Sequence, residues 1–425
     1  MRRQPVANQQ TVRRHRPMYR VVLLIGLLLL LGLVVMYAIG PQRANLLNFA
    51  YGSDYSDNFF FNKQLISVIV SLVAFSACAI LPHELFTKKF AKQLFLAGLI
   101  LSILLVFLGA VLHLPFAGET NGAYRWFYIG GFSFQPSELL KFGSLVFIAG
   151  LLGRRVKQGK INDVNETLLP IGIIMAISLF VVVVLQKDLG TGVSLIAIVL
   201  SMIVVSGMRA KLVWQIIAAL AVIGVIFIVS TPHRMDRMST YFQGDTDISA
   251  VNDGDGYHIQ QAKIAIGSGG LFGLGIGNSV QSTGYLPEAI NDSIFAILGE
   301  TFGFVGLVII LLLFTGLLLS LLMVAARLPD MGLRLVVAGV FGWVGSHVIL
   351  NVAAMTGLAP LTGIPLPLLS YGGTSMLFIA AALGLAFQLS RWTTHSVVEE
   401  RSDYVEDSSS RRRIGRTRYA SDRGL

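Results

Sequence analysis

The chain has 425 residues, of which 54% are hydrophobic and only 13% are charged. This charged share excludes an ordinary soluble domain, in which about a quarter of the residues are charged. The formal net charge of +10 comes from Lys and Arg residues in short segments between long apolar runs, so it indicates orientation in a membrane and attraction to anionic lipid, with no argument for a nucleic-acid partner.

Ten apolar runs approach the length of about 20 residues that a membrane-spanning helix needs. The first is expected to be an uncleaved span, since no small-residue cleavage site followed by a soluble domain comes after it. Because backbone polar groups in lipid must be hydrogen-bonded internally, ten such runs predict an all-α polytopic bundle. The predicted spans are residues 20–40, 64–82, 93–115, 136–152, 166–186, 190–208, 212–230, 292–325, 333–355 and 370–390.

Basic residues predict that both termini lie in the cytoplasm. Most of the 33 Lys and Arg residues fall in the terminal segments and in alternate loops, as the positive-inside rule describes. The predicted organisation is a basic segment over 1–19, a membrane domain over 20–390 and a basic, disordered tail over 391–425. A large external loop, 231–291, is predicted between helices 7 and 8.

Ionisable residues at membrane depth are expensive and are therefore functional candidates. The first segment that carries them on the predicted external side is NGAYRWFYIGGFSFQPSELLK, residues 121–141. Pro136 suits the first turn of a helix, and Glu138 would lie in that turn, where the helix dipole favours an anion. Lys141 shares its face, so the two residues could form a structural ion pair or belong to a binding site. Arg125 could be an interfacial anchor or an anion-binding group.

The second segment is LQKDLGTG, residues 185–192, which indicates a tight external turn before a helix. Asp188 in this turn is more typical of a helix cap than of a binding residue, and both alternatives stay open.

The third segment is the long external loop, which contains GYHIQQAKIAIGSGGLFGLGIGNSVQSTGYLPEAIND. Loops of this length are usually functional or disordered, and its apolar residues predict that this one folds onto the membrane surface. No strand precedes GLFGLGIG, so its glycines indicate close turns against lipid or ligand and not a nucleotide site.

The fourth segment is NVAAMTGLAPLTGIPLPLLSYGGTS, residues 351–375, whose prolines preclude a regular helix. Irregular backbone at membrane depth is tolerated only inside protein or beside a cavity, so a re-entrant segment lining a pocket is predicted. Ser370 and Tyr371 could donate hydrogen bonds to a ligand there or could be purely structural.

The stretch YLPEAINDSIFAILGE, residues 285–300, places Asp292 where the external loop meets a membrane helix. Asn291 and Asp292 both suit the N-cap of that helix, so capping and a chemical role are alternatives. Glu300 would lie about 12 Å deeper along the helix at 1.5 Å per residue, where it is predicted to be structural or pocket-lining.

Taken together and in this order, these motifs resemble the SEDS family (shape, elongation, division and sporulation) over roughly residues 20–390. The resemblance is carried by RW followed by FQPSELLK, by QKDLGTG, by GNSVQSTGYLPEAIND with SIFAILGE, and by TGIPLPLLSYGGTS. One departure is Ile290-Asn291 before the aspartate, where many members have His-Thr. YLPEA is closer to the FtsW-like division type and TGIPLP to the RodA-like elongation type, and the division type is favoured.

The resemblance implies an enzyme that polymerises lipid II into glycan strands on the outer face of the bacterial cytoplasmic membrane. The family's essential aspartate matches Asp292, and its acidic–basic pair matches Glu138 and Lys141. A base near the attacking hydroxyl and positive charge near the leaving pyrophosphate would serve this chemistry. The first candidates for contacts with the pyrophosphate are Lys141 and Arg125, with Lys263, Arg234 and Arg237 behind them. The further residues expected to contact substrate are Asp188, Gln281, Glu288, Glu300, Ser370 and Tyr371.

The cofactor implied is a divalent cation, Mg²⁺ or Mn²⁺, carried by the pyrophosphate, and no organic cofactor is expected. The implied partners are a class B penicillin-binding protein and other membrane proteins of the division machinery, at the septum. Two alternatives remain at this point: a lipid II translocase and a scaffold for a partner.

Overall fold

The structure is a computed structural model that describes residues 16–120, 122–229 and 254–393. Arg234 and Arg237, most of the N-terminal basic segment and nearly all of the C-terminal tail lie outside the described residues, so the expectations for them stay predictions.

Helices dominate the described residues, and their order agrees with the predicted apolar runs. One short antiparallel hairpin, β1 (Phe127–Ile129) and β2 (Phe132–Phe134), leads into the fourth helix. The helices are α1 (Tyr19–Tyr51), α2 (Phe59–Ile80), α3 (Ala91–Ala110), α4 (Pro136–Lys157), α5 (Leu169–Leu179), α6 (Leu189–Val205), α7 (Ala210–Val229), α8 (Gly254–Ser268), α9 (Ile294–Arg327), α10 (Met331–Met355) and α11 (Gly373–Leu389).

Seven helical segments among the described residues are long and apolar enough to cross a membrane, which establishes a polytopic helical membrane protein. The three other predicted spans correspond to α4, which carries five charged residues, and to α6 and α7, whose described apolar lengths are short. The number of spans and the orientation of the termini stay predictions.

Element boundaries differ most from the predicted ones in the first and fifth runs, whereas α2, α3 and α4 each differ by about five residues at one end. Helix α1 continues through Pro41 to Tyr51, well beyond residue 40. The fifth run is not one α-helix, because π-helical turns at Val164–Leu168 and Phe180–Leu185 flank α5. Helix α8, within the external loop, is an element that the sequence patterns do not predict.

Helices α10 and α11 form the centre of the bundle. In the most apolar 18-residue stretch of these two spans, 67% and 83% of the residues are buried, against 28–39% in the other five candidate spans. Elsewhere small residues bring backbones together: a Cβ added to Gly98 of α3 would lie 2.5 Å from Cα of Leu140 in α4. Such contacts suit a membrane bundle, where close van der Waals packing drives helix association.

The chain between α10 and α11, residues 356–372, is irregular as its prolines predict, and we call it the re-entrant segment. Its residues 366–370 are buried inside the bundle, whereas Leu358 near its start is exposed. A Cβ on Gly32 of α1 would lie 3.0 Å from the carbonyl oxygen of Leu368, and one on Gly190 of α6 would lie 2.6 Å from that of Thr362. Protein therefore surrounds the irregular backbone, as its polar groups require.

Helix α9 is interrupted at Gly303, which adopts φ 67° and ψ −169°. The interruption is filled by the backbone of the glycine-rich stretch 269–277 of the predicted external loop, which we call the external segment. The N–H groups of Leu274 and Gly275 donate to the carbonyls of Glu300 and Thr301 at 2.9 and 3.1 Å, and the N–H groups of Phe304 and Val305 donate to the carbonyls of Gly270 and Leu271 at 2.9 and 3.1 Å. The groups freed by the break are thus satisfied by protein.

The sequence analysis interpreted the glycines of this loop as turns against lipid or ligand. At Gly273 and at its partner Gly303 in α9, the structure shows contact with protein backbone instead. A Cβ on Gly273 would lie 2.2 Å from the carbonyl oxygen of Thr301, and one on Gly303 would lie 2.4 Å from the nitrogen of Gly273. Close backbone approach to α9 therefore requires glycine at both positions.

Replacing Gly273 by alanine is expected to loosen this junction. Gly273 and Gly277 have similar positive φ angles, 83° and 86°, but a Cβ on Gly277 would meet nothing within 4 Å. Gly273→Ala and the control Gly277→Ala both carry the penalty of about 1–2 kcal/mol for a left-handed backbone, and only Gly273→Ala adds a clash. Thermal unfolding in detergent should therefore show a clearly larger loss for Gly273→Ala. Equal losses would contradict the proposed backbone junction.

Candidate functional site

Asp292 lies in a turn over residues 287–293, two residues before α9 begins at Ile294. It is half-buried, and a Cβ added to Gly363 of the re-entrant segment would lie 4.0 Å from its Oδ2. The N-cap position belongs to Ser293, one residue later than the capping alternative for Asp292 places it. The turn delays the helix by two residues and leaves the carboxylate beside the re-entrant segment.

Three elements hold this turn. The side-chain amide of Asn351 in α10 donates to the carbonyl of Asp292 at 2.7 Å and to that of Ile364 at 2.8 Å. The backbone N–H of Tyr371 donates to the carbonyl of Ile290 at 2.8 Å. The third element is α8, whose His258 contacts Ser293.

The contact between His258 and Ser293 has a defined direction. Ser293 Oγ donates its proton to the carbonyl of Pro287 at 2.8 Å, so it accepts from Nε2 of His258. Both side chains are buried. The sequence alone does not single out His258, because a single histidine in a long loop belongs to no motif or helical pattern. The histidine that many family members have just before the aspartate is absent here, where the chain reads Ile290-Asn291.

Glu288 and Ser370 support the same region by local contacts. The carbonyl of Glu288 accepts from the backbone nitrogens of Asn291 and Ser293 at 2.9 and 3.2 Å, and its exposed carboxylate accepts from the Asn291 side chain. Ser370 Oγ accepts from the backbone nitrogen of Leu366 at 2.7 Å. This hydrogen bond supports the alternative in which Ser370 is structural. Contacts of Glu288 or Ser370 with substrate stay predictions.

A second polar group surrounds Lys141 in the middle of the bundle. Lys141 Nζ lies 2.8 Å from Glu138 Oε1, and both side chains are almost fully buried. The ammonium also lies 5.0 Å from the ring centroid of Trp343 and 3.5 Å from Nε2 of His347. The predicted ion pair is therefore confirmed, and any contact of this pair with substrate stays a prediction.

Helix α10 connects the two groups. Trp343, His347 and Asn351 follow one another at intervals of four residues, so they share one face of the helix. Trp343 Nε1 donates to His347 Nε2 at 3.2 Å, which fixes that nitrogen as an acceptor. On this one face, Trp343 and His347 contact Lys141, and Asn351, about two turns beyond Trp343, contacts Asp292.

Arg125 and Asp188 lie at the turn between the π-helical turn Phe180–Leu185 and α6. Arg125 donates to the carbonyls of Gln186 and Lys187 at 3.1 and 2.6 Å. Asp188 caps α6 by accepting from the backbone nitrogen of Thr191 at 2.9 Å, which confirms the capping alternative. Its other oxygen accepts from Gln135 at 3.0 Å.

Glu300 and Gln281 belong to the junction between the external segment and α9. Buried Glu300 accepts from Ser279 Oγ and from the backbone nitrogens of Val280 and Gln281. The expectation that Glu300 forms hydrogen bonds inside the bundle is confirmed, and these contacts explain its burial without a ligand.

Lys263 and Tyr371 lie against the re-entrant segment or within it. Lys263 is exposed on α8, and a Cβ on Gly357 would lie 2.5 Å from its Cε. The Tyr371 ring packs edge-on against Phe60 with centroids 5.7 Å apart. Lys263 therefore places a cation at one end of the segment that borders Asp292.

Among the described residues, no three His, Cys, Asp or Glu side chains form a group that could hold a metal. Mg²⁺ is commonly held by one or two carboxylates together with substrate phosphates. Asp292 beside the re-entrant segment fits that mode, in which the substrate brings most of the ligands.

Comparison with known proteins gives one consistent result. A family model described as "Cell cycle protein", for FtsW, RodA and SpoVE, matches residues 19–395. Stage V sporulation protein E of Bacillus subtilis is 34% identical over 395 residues, which cover 91% of this chain and all of that protein. A protein of Nitrosomonas europaea named "Probable peptidoglycan glycosyltransferase FtsW" is 34% identical over 367 residues, which cover 85% of this chain and 90% of that protein.

Two solved structures share the fold. A chain from a peptidoglycan synthase complex, described in terms of coordinated polymerization and crosslinking, has a TM-score of 0.67 and 25% identity over 88% of this chain and 98% of its own length. The rod shape-determining protein RodA of Thermus thermophilus has a TM-score of 0.62 and 25% identity over 89% of this chain and 98% of its own length.

Removing one member of the buried ion pair is expected to destabilise the protein more than removing both. Lys141→Met leaves the Glu138 carboxylate buried without its cation, which typically costs about 3–5 kcal/mol. The double variant Glu138→Gln/Lys141→Met removes both charges and should recover most of that loss. Thermal unfolding in detergent measures the difference, and a single variant as stable as the double one would refute it.

Proposed function

Because this chain belongs to the family of cell cycle proteins that includes FtsW, RodA and SpoVE, the SEDS proteins, we propose that it is a peptidoglycan glycosyltransferase. In this proposal it joins lipid II units into glycan strands at the outer face of the bacterial cytoplasmic membrane. The observation that carries the proposal is Asp292, a half-buried carboxylate at the start of a membrane helix, held by α8, α10 and the re-entrant segment.

The reaction needs a base at that place. The 4-hydroxyl oxygen of the acceptor GlcNAc attacks the anomeric carbon of the donor MurNAc, the bond from that carbon to the diphosphate oxygen breaks, and undecaprenyl diphosphate leaves with the electron pair. Asp292 takes the proton of the attacking hydroxyl. General-base catalysis of this kind contributes about 10²–10⁴-fold. A diphosphate leaves as a stable anion, so one carboxylate suffices where a glycosidase uses two.

Positive charge near the leaving diphosphate completes the site. Exposed Lys263 lies beside Gly357 of the re-entrant segment, and Gly363 of the same segment borders Asp292. Arg125 donates to two backbone carbonyls, and Lys141 pairs with Glu138. Lys263 joins these two as a candidate for diphosphate binding, without a ranking among the three.

A divalent cation is part of the proposal. The diphosphate would supply most of its ligands and Asp292 the protein carboxylate, and the cation would neutralise charge on the leaving group.

The names of the relatives support septal synthesis during division: several are called FtsW, and one is a sporulation protein. Similarity to a chain from a peptidoglycan synthase complex supports a cross-linking partner, for which a class B penicillin-binding protein is the expected kind. Transporters often place their substrate site at interrupted helices. The interruption of α9 does not support the translocase alternative, because backbone of the protein's own loop fills it.

Asp292→Asn is expected to abolish polymerisation, because the amide keeps the shape of the side chain and loses its basicity. The assay is polymerisation of lipid II by purified, folded protein. The matched carboxylate control is Glu84→Gln, an exposed residue paired with Lys88 at 3.2 Å, which should polymerise at the normal rate.

A folded Asp292→Asn protein that still makes polymer at the normal rate would overturn the assignment of the base. If fluorescent lipid II changes sides without polymer in any variant or in the wild type, the translocase is supported instead. Growth supported by Asp292→Asn in cells would favour the scaffold.

Chelation is expected to slow polymerisation without lowering the melting temperature, because the cation enters with the substrate. EDTA followed by Mg²⁺ or Mn²⁺ in excess should suppress and then restore the rate. An undiminished rate in EDTA would contradict the role of the cation and leave that of Asp292 intact.

A further inference from the structure

Asn351 is a buried amide in α10 that makes two directed contacts. Its side chain is 1% exposed. Nδ2 lies 2.7 Å from the carbonyl oxygen of Asp292 and 2.8 Å from that of Ile364. Both neighbours are acceptors, so the NH₂ end of the amide must face them. No hydrogen bond to its Oδ1 comes from the described residues, so its polar contacts run through the two N–H groups.

The two carbonyls belong to segments that are not helical. Asp292 lies in the turn before α9, and Ile364 lies in the re-entrant segment. Helix α10, by contrast, is long, regular and largely buried. Asn351 therefore joins both irregular segments to one regular element.

The local structure at the start of α9 leaves room for this support. Ser293 at the N-cap forms no side-chain capping bond with the helix, because its hydroxyl is used by Pro287 and His258. The Asn351 amide thus adds a contact from a regular helix to the main chain of Asp292. A displacement of about 1 Å in a reacting group can cost on the order of 10²-fold in rate.

We propose that Asn351 is a positioning residue, which fixes the main chain of Asp292 against the re-entrant segment and so sets where the carboxylate meets the acceptor hydroxyl. It acts through Asp292 and contacts no reacting atom. The kinetic part rests on the proposed function, whereas the positional part does not.

The informative variant is Asn351→Asp, which keeps the shape of the side chain and removes both donated hydrogen bonds. The matched control is Gln388→Leu in α11, which removes another buried amide whose Nε2 donates to a backbone carbonyl, that of Leu81. Hydrogen exchange in detergent should rise over residues 288–294 and 362–371 in Asn351→Asp and stay at the wild-type level there in Gln388→Leu.

The kinetic measurement separates positioning from general stability. Asn351→Asp is expected to lower kcat for lipid II polymerisation by about 10–100-fold with little change in KM, because substrate binding persists while the base is misplaced. Gln388→Leu is expected to lower the melting temperature and keep kcat. If Asn351→Asp does not fold, Asn351→Ser, which keeps a single shorter donor, is judged by the same two measurements.

Unchanged exchange over 288–294, or a kcat within about twofold of wild type, would overturn the proposal. Failure of the proposed function would look different: wild-type protein would make no polymer, or Asp292→Asn would polymerise normally, while the exchange measurement would still report whether Asn351 fixes the turn.

Discussion

The structure depends on one constraint, which is that backbone polar groups inside a membrane protein must find partners within the protein. Two irregular stretches meet it in different ways. At Gly303 the interruption of α9 is filled by main chain from the external loop, carbonyl to N–H on both sides. In the re-entrant segment, the side-chain amides of Asn351 and Gln64 donate to the carbonyls of Ile364 and Ser370. The candidate site borders this second stretch.

Polar side chains in the bundle are organised around α10. Its buried face carries an aromatic donor, an imidazole and an amide in succession, which engage the Lys141 group and the Asp292 turn in turn. Each of these groups is expensive to bury alone, and each has a partner within the protein. A polar face on a central helix thus ties the geometry of the candidate site to the packing of the bundle.

Local patterns predicted what depends on local sequence. Apolar runs predicted the helices, the prolines of 360–367 predicted the irregular segment, and spacing predicted the Glu138–Lys141 pair. The resemblance favoured Asp292 as the catalytic base, a role that residue type and position alone left open and that stays a prediction. The sequence did not reveal His258 or Asn351, because their partners are 35 and 59 residues away. The spacing of Trp343, His347 and Asn351 was the one available signal, and it lay within an apolar run that hydropathy treats as a plain span.

The interruption of α9 has a consequence for biosynthesis. At 1.5 Å per residue the inner piece, 304–327, is about 36 Å long and can cross a bilayer, whereas the outer piece, 294–302, is only about 13 Å long. Insertion machinery that selects spans by length and hydropathy therefore recognises the inner piece. The outer piece is joined instead to the loop that precedes it in the chain, through the backbone hydrogen bonds at the interruption. A short helical piece of this kind therefore depends on tertiary contacts, whereas the inner piece is long enough to cross a bilayer alone.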